Sequence, residues 1–272
     1  MIRHILLFSI AIFLVACNDN SKVQHGKISA VHDKTLLELK GLPVESGVSG
    51  RAGKHTPVSV KSINNSLGFY EYLPKNFNSS LSKLPLIIYW NGQNSGAGDG
   101  DKDLHRLLGQ GLPMNIQEGA HYPAIIISPM TGFKEWKIID ADPFVDFLIK
   151  RYGAFIDEKR IYMTGFSGGG GLTMRYAMEN PQRLAAIVVV AAAVQYPEKN
   201  QPSDEMKKLP IWLFHNDKDK VVSSDRSTEW FNKLKKSGFQ HRLTIYESDS
   251  HYAWQEAYGD QLMWEWLFSH SR

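Results

Sequence analysis

The feature that most constrains the fold is the alternation of short apolar runs with segments of helical periodicity. Continuous apolar runs of strand length occur at 84–90 (LPLIIYW), 124–128 (AIIIS), 185–191 (AAIVVVA) and 211–214 (IWLF). Between such runs, apolar residues recur at helical spacing, as at Phe144, Phe147, Leu148 and Tyr152. Continuous runs indicate strands buried on both faces, as in parallel sheets. We therefore predict an α/β fold, with a mostly parallel central sheet and helices on both of its faces.

Length and composition narrow the classes of function. A chain of 272 residues is long enough for one domain with a well-buried core. The formal net charge is only +3 and no dense run of basic residues occurs, so we predict no nucleic-acid partner. A single cysteine excludes disulfides within the chain and a cysteine-rich zinc site. No HExxH motif occurs either, so we expect neither a metal nor another cofactor.

The amino-terminal segment has the pattern of an export signal. Arg3 precedes an apolar run at 5–16, which is short for a membrane span but suits a signal-peptide core. The run ends in Leu-Val-Ala-Cys, which resembles a bacterial lipobox with Cys17 as the lipidated residue. We predict a signal peptide at 1–16, a lipidated cysteine and polar tether at 17–27, and one domain at 28–272 that opens with edge strands and loops at 28–63. The protein is then exported and anchored to a cell-envelope membrane, whereas an ordinary signal peptide containing cysteine is the alternative.

A glycine-flanked serine carries the strongest catalytic signal. Residues 165–169 read Gly-Phe-Ser-Gly-Gly, which matches G-x-S-x-G between a predicted strand at 160–164 and a predicted helix at 172–178. In this context the serine lies on a sharp turn, and side chains at the glycine positions would collide with the strand and the helix. We predict that Ser167 is a nucleophile and that the Gly168 amide faces the developing oxyanion. A glycine-rich turn without chemistry is the alternative.

A serine nucleophile needs a base, and the base needs an orienting carboxylate. When the motif is a nucleophile elbow, the acid and the base follow the serine in that order, at the ends of later strands. The loop after 211–214 offers Asp217 and Asp219, and the loop after 242–246 offers His251. We predict that His251 is the base, with Asp219 as the acid and Asp217 as its rival. His215, on the acid's loop, is expected to pack or to form a hydrogen bond beside the site.

The segments YLP, PLIIYWNGQ, RIYMTGFSGGG, WLFHNDKDKVV and SHYAWQEAY together resemble the α/β-hydrolase superfamily, from about Leu67 to the end. The resemblance is to the branch of esterases, feruloyl esterases and polyhydroxybutyrate depolymerases, and to the related group labelled predicted peptidases. It implies an acid four residues after a histidine, which selects Asp219 after His215. It also implies an aromatic cluster after the base, and His-Gly after the third core strand, where this chain has Asn91-Gly92.

The same resemblance suggests further site residues. A second oxyanion donor comes from the loop after the third core strand, which points to the backbone N–H of Gln93. Trp136, Tyr252 and Trp254 are candidates to line the acyl or alcohol pocket, although such aromatic residues are as often part of a core. Asp99, Asp101 and Asp103 alternate as in a calcium loop, but the glycine and the final glutamate of that motif are absent, so a solvated loop is expected.

These observations predict an ester hydrolase that works through a Ser-His-Asp triad and an acyl-enzyme. Acylated polysaccharides, short-chain esters and polyesters all remain open as substrates, as does the oligomeric state. A serine peptidase on the same scaffold is one alternative, although a chain of this size has no room for a propeller domain. A surface-binding lipoprotein without catalysis is the other alternative.

Overall fold

The fold is organised around one twisted sheet, seen here in a computed structural model. The structure describes residues 24–26, 52–58, 68–75, 77, 83–93, 100–130, 141–239 and 241–272. Nine strands occur in these ranges: β1 (Gln24–Gly26), β2 (His55–Val58), β3 (Phe69–Tyr72), β4 (Leu84–Trp90), β5 (Ile125–Pro129), β6 (Ile156–Phe166), β7 (Ala186–Val190), β8 (Ile211–Asn216) and β9 (Arg242–Tyr246).

The strand order is β1-β9-β8-β7-β6-β4-β5-β3-β2. All neighbouring pairs are parallel except those made by β3, which runs antiparallel to both β5 and β2. The predicted, mostly parallel sheet is therefore confirmed. In a parallel sheet the carboxyl ends of the strands lie along one edge, and the loops that follow β4, β6, β8 and β9 meet there.

Seven α-helices occur in the described ranges: α1 (Gly111–Gln117), α2 (Asp142–Tyr152), α3 (Gly168–Glu179), α4 (Asp204–Lys208), α5 (Asp225–Leu234), α6 (Trp254–Gly259) and α7 (Gln261–Phe268). A 3₁₀ helix covers Gly100–Gly109. Apolar residues of α2, α3 and α5 pack with one face of the sheet, and those of α1, α6 and α7 pack with the other. The strands alternate between the two clusters: Ile88 joins the first and Ile87 the second.

Two segments differ from the predicted organisation, one at the edge of the sheet and one outside it. Gln24–Gly26 falls within the predicted tether but forms β1, which pairs in parallel with β9. The outer backbone groups of β9 would otherwise be an unpaired edge, and β1 satisfies them. The segment around Asp103, expected to be a solvated loop, is instead the 3₁₀ helix, in which Arg106 lies 3.3 Å from the Asp103 carboxylate. Asp99 lies outside the described residues.

Candidate active site

Ser167 occupies a strained position in the turn between β6 and α3. Its φ of 54° lies in the left-handed region, where a non-glycine residue costs about 1–3 kcal/mol. Neighbouring strands and loops hold it there. The Ser167 N–H donates to the Val190 carbonyl at 2.9 Å, and the Ser167 carbonyl accepts from the amides of Gly171 and Ala193 at 3.0 Å each. These hydrogen bonds fix the turn against β7 and the loop that follows it.

The glycines beside Ser167 are required by close packing. A Cβ at Gly165 would lie 2.4 Å from the Gly169 carbonyl, and a Cβ at Gly169 would lie 2.1 Å from the Trp90 carbonyl oxygen. Both contacts are with backbone atoms, which cannot move aside as a flexible side chain does. The steric clash that the motif predicts for side chains at its glycines would therefore occur. Because Gly169 has no side chain, the start of α3 can contact the end of β4.

Three polar side chains from different loops form a continuous chain of hydrogen bonds. Ser167 Oγ lies 2.9 Å from His251 Nε2, and His251 Nδ1 lies 2.6 Å from Asp219 Oδ2. Asp219 accepts the hydrogen on Nδ1, which leaves Nε2 of the neutral imidazole as the acceptor for the serine hydroxyl. Phe166 packs on the His251 ring, with 4.8 Å between the ring centroids. The arrangement can therefore remove a proton from Ser167.

Asp219 is buried and held as a carboxylate. Its Oδ1 accepts the amide N–H of Val221 at 2.8 Å and that of Val222 at 3.0 Å. Burial opposes ionisation, but the hydrogen bonds from His251 and the two amides outweigh it and keep the pKa of Asp219 below its ordinary value. The carboxylate is therefore charged at neutral pH and presents Oδ2 to His251.

Asp217, the rival acid, has a different set of contacts. Its Oδ1 accepts the amide N–H of Ser248 at 3.0 Å, and its own N–H donates to the Tyr246 carbonyl at 2.9 Å. Its Oδ2 lies 4.0 Å from the Lys218 ammonium. Asp217 thus ties its own loop to the loop that precedes His251. The structure brings Asp219, and not Asp217, to the imidazole.

His215 lies fully buried beneath Asp219. Its Nε2 is 2.9 Å from the Val222 carbonyl and 3.3 Å from Asp219 Oδ2, and its Nδ1 is 2.7 Å from the Ser227 hydroxyl. Since both groups near Nε2 are acceptors, the hydrogen is on Nε2, and Nδ1 accepts from Ser227. Burial lowers the pKa of His215, against the raising effects of Val222 and Asp219. The expected hydrogen bonding beside the site is present, to Val222 and Ser227, and it places the His215 ring next to the acid.

The loop after β4 lies against the nucleophile turn. A Cβ at Gly92 would be 2.7 Å from the Phe166 ring, so only glycine allows this approach. Asn91 is buried and donates from Nδ2 to the Gly92 carbonyl at 2.9 Å. Gln93 follows directly on the exposed side of the loop, and Gly168 is the first residue of α3, where helical N–H groups have no partner within the helix. The two predicted oxyanion donors therefore belong to adjoining segments.

A cleft opens beside these groups. Tyr252 and Trp254 line it together with Arg106 and Gln110. The Tyr252 ring is 43% exposed and lies 6.3 Å from the His251 ring, whereas Trp254 is almost fully buried. Trp136, the third predicted lining residue, lies outside the described residues. No catalytic motif marks Arg106 or Gln110, and sequence reasoning missed both, although Leu104, Leu107 and Leu108 recur there at helical spacing.

Two further features bear on metals and membranes. The described ranges hold no group of three or more His, Cys, Asp or Glu side chains arranged to bind a metal ion. No helix in those ranges has the length and apolar character needed to cross a bilayer. Cys17 and the predicted signal peptide lie outside the described residues.

The sequence is similar to one family of hydrolases and to two acyl-protein thioesterases. The sequence model of the family described as phospholipase/carboxylesterase matches residues 112–262. An acyl-protein thioesterase 1 homolog 2 from Dictyostelium discoideum is 35% identical over 71 residues, 25% of this chain and 31% of that protein. Acyl-protein thioesterase 1 from Neurospora crassa is 27% identical over 114 residues, 40% of this chain and 46% of that protein. This chain therefore spans less than half the length of either thioesterase.

Among solved structures, a thermostable esterase superposes with a TM-score of 0.62 at 26% sequence identity. The superposition covers 80% of this chain and 63% of that esterase. The common part includes most of the chain, so the two proteins share the architecture of the sheet and its helices.

Proposed function

Because this chain belongs to the phospholipase/carboxylesterase family of α/β-hydrolases, we propose that it hydrolyses carboxylic esters through an acyl-enzyme on Ser167. The single observation that carries the proposal is the hydrogen-bonded sequence Ser167–His251–Asp219, with distances of 2.9 and 2.6 Å. A base that accepts the hydroxyl proton and a carboxylate that orients the base together activate a serine hydroxyl.

In the proposed first step, Ser167 Oγ forms a bond to the ester carbonyl carbon while its proton moves to His251 Nε2. The carbonyl oxygen becomes an oxyanion, which the amides of Gly168 and Gln93 stabilise. Losing one such donor typically lowers the rate by about 100-fold or more. Asp219 remains ionised and stabilises the imidazolium that forms.

Collapse of the tetrahedral intermediate breaks the bond between the carbonyl carbon and the alcohol oxygen. His251 gives its proton to the leaving alcohol, which leaves an acyl group on Ser167. Water then attacks this acyl group, with His251 again as the base, and releases the carboxylic acid and the free serine. Besides water, the steps use the three triad side chains and the two backbone amides, and Tyr252 and Trp254 contact the part of the substrate that enters the cleft.

The names of the relatives support ester and thioester substrates alike. Two of them are acyl-protein thioesterases, and one solved neighbour is an esterase. Oxygen esters and thioesters react with a serine through the same acyl-enzyme, so a thioester is a fitting second substrate. Cys17, in its lipobox-like context, is proposed to anchor the enzyme to a membrane of the cell envelope.

Covalent labelling tests the nucleophile. A fluorophosphonate probe should add once per chain to the wild type, and peptide mapping should place the adduct on Ser167. Ser167→Ala should abolish both the adduct and the hydrolysis of chromogenic esters, and His251→Ala should abolish labelling in a folded protein. Loss of the triad should cost several orders of magnitude in rate, about 4–9 kcal/mol.

The same experiment separates the alternatives. An adduct on another serine, or full turnover by Ser167→Ala, would overturn the mechanism. A folded wild type that neither labels nor cleaves any ester would favour a binding lipoprotein. Faster cleavage of aryl amides than of the matched esters would favour a peptidase.

A further inference from the structure

The direction of β1 places the start of the domain on the side of the sheet away from the triad. β1 runs parallel to β9, with Gln24 beside Thr244. The chain therefore reaches β1 from the side of the amino ends of the strands, whereas His251 follows the carboxyl end of β9. Cys17 precedes Gln24 by seven residues, which an extended chain spans in about 25 Å at most. An anchor at Cys17 would thus hold this amino edge of the sheet near the membrane.

The amino edge next to β1 carries an excess of positive charge. Lys235 and Lys236 lie in a 3₁₀ turn before β9, and Lys208 ends α4 before β8. All three are exposed, and none forms an ion pair within the described ranges. Arg242, the first residue of β9, is also exposed, and its guanidinium lies 4.7 Å from the centroid of the Trp212 ring.

Carboxylates offset this charge only in part. On α4, Lys207 pairs with Asp204 at 2.9 Å, which leaves Glu205 as the remaining acid of that helix. Farther along the edge, at the start of β6, Arg160 pairs with Asp157 at 2.9 Å. The uncompensated positive charge is therefore concentrated around β9, the strand that β1 joins.

An exposed aromatic side chain lies among these cations. Phe239 stands between the 3₁₀ turn and β9 and is 43% exposed. Large apolar side chains that flank lysines are typical of surfaces that bind in the interfacial layer of a membrane, because the ring leaves water while the ammonium groups meet the headgroups. Phe239 and its neighbouring lysines have this composition.

The edge that holds the triad differs in charge. Lys218 and Lys220 are strongly exposed there, but they lie 4.0 Å from Asp217 and 3.1 Å from Asp249. Glu247 adds an exposed carboxylate to the same loops. An anionic membrane surface attracts clusters of lysine and arginine. Such a surface would therefore attract the amino edge and not the edge of the triad.

We propose that the amino edge around β9 docks on an anionic lipid bilayer, so that the triad faces away from the membrane. The proposal rests on the lipid anchor and the ester hydrolysis proposed above, and it defines the side from which substrate arrives. Lys208, Lys235 and Lys236 contact the headgroups, and Phe239 enters the interfacial layer. Ser167 then receives esters from the aqueous side and not from the bilayer that holds the anchor.

Site-directed fluorescence tests this orientation on the lipidated full chain. Cys17 is the only cysteine, and its thiol is acylated in the anchored form, so a second cysteine can be labelled alone. Phe239→Cys and Val221→Cys each receive an environment-sensitive dye and are reconstituted in vesicles of phosphatidylglycerol and phosphatidylcholine. Val221 is the matched position, because it is 71% exposed and follows Asp219 by two residues. Lipids with nitroxide headgroups should quench the dye at position 239 and leave the dye at position 221 unquenched.

Charge reversal then locates the contact. Lys235→Glu/Lys236→Glu should abolish the quenching at position 239, because each lysine near an anionic surface contributes roughly fivefold in affinity. Raised salt should weaken the quenching in the wild-type background for the same reason. Lys218→Glu/Lys220→Glu, on the opposite edge, is the matched control and should retain the quenching. Circular dichroism shows whether both charge variants are folded.

Equal quenching at positions 239 and 221, or quenching at 239 that is as strong in pure phosphatidylcholine, would overturn the docking surface. A chain that carries no fatty acid on Cys17 refutes the anchor alone. In that case the exported chain, without its signal peptide, is sedimented with phosphatidylglycerol vesicles. Binding that Lys235→Glu/Lys236→Glu weakens by about 30-fold or more supports the surface, and absence of binding overturns it. Because the dye reports orientation without turnover, a failure of the proposed ester hydrolysis is seen separately.

Discussion

Replacing Asp219 with asparagine separates the two candidate acids by a specific physical route. In the wild type, Oδ1 of Asp219 accepts from the amides of Val221 and Val222, and Oδ2 accepts from His251 Nδ1 at 2.6 Å. An asparagine keeps its oxygen on the two amides, because an NH₂ group cannot accept from them. Its NH₂ group must then face His251. Nδ1 becomes an acceptor, and the imidazole hydrogen moves to Nε2.

That change of tautomer removes the base. With a hydrogen on Nε2, His251 cannot accept the proton of Ser167, and the charge that stabilises the imidazolium is also gone. In a serine protease with the same constellation, the equivalent change lowers kcat by about 10⁴-fold, and we expect a loss of roughly 10³- to 10⁴-fold here, about 4–5.5 kcal/mol. Covalent labelling of Ser167 should slow in proportion.

The matched control is Asp217→Asn, two residues away on the same loop. The asparagine oxygen can still accept the Ser248 amide, and the Lys218 ammonium, at 4.0 Å in the wild type, contributes little at an exposed position. We expect kcat within about threefold of the wild type, since no group at His251 changes. Both variants are assayed with one chromogenic ester, after circular dichroism shows that they fold. If Asp217→Asn is the crippled variant, the assignment of the acid is wrong.

Three further predictions concern stability and anchoring. Gly169→Ala should prevent accumulation of folded protein, because its Cβ would lie 2.1 Å from the Trp90 carbonyl oxygen. The control Gly171→Ala should fold, because the atom nearest to its Cβ would be 3.5 Å away. Equal expression of the two variants would contradict the steric argument. Burial lowers the pKa of His55 to about 4, so the unfolded state binds more protons in acid, and this one residue should lower the free energy of unfolding by about 2 kcal/mol between pH 7 and pH 5. Denaturant titrations should show a smaller fall for His55→Phe, and an unchanged slope would refute this. Cys17→Ser should abolish metabolic labelling by a fatty-acid probe, and equal labelling of wild type and variant would refute the lipid anchor.

Two strands that are marked by a run of strand-type residues within one segment were predicted with the correct bounds. The run at 84–90 forms β4 and the run at 242–246 forms β9 with the predicted bounds. The α/β-hydrolase fold is likewise confirmed by the family match and the likeness to the esterase. The helix after Ser167 was predicted to begin at Leu172 but begins at Gly168, because glycine disfavours helices in isolation. Here, packing against Trp90 fixes a helical turn that propensity alone does not predict.

The candidate site likewise contains residues that local sequence patterns identify and residues that they do not. Ser167, Asp219 and His251 were identifiable because each follows a strand, and strand ends in a parallel sheet share an edge. Gln110 and Arg106 were not, because neither belongs to a catalytic motif nor follows a strand. Their position in the cleft depends on the 3₁₀ helix and α1 packing across from α6, a long-range contact that no local pattern encodes.

Buried His215, beneath Asp219, is neutral, so the Asp219 carboxylate faces only one cation, the imidazolium of His251. A charged His215 would compete with His251 for Asp219, because its Nε2 is 3.3 Å from the same oxygen. Burial lowers the pKa of His215, which keeps the imidazole neutral at pH 7. The His215 ring therefore lies beside Asp219 without adding a second counter-charge. In the proposed mechanism, the full negative charge remains available to the His251 imidazolium at the moment when Ser167 gives up its proton, which is when electrostatic stabilisation would accelerate the reaction.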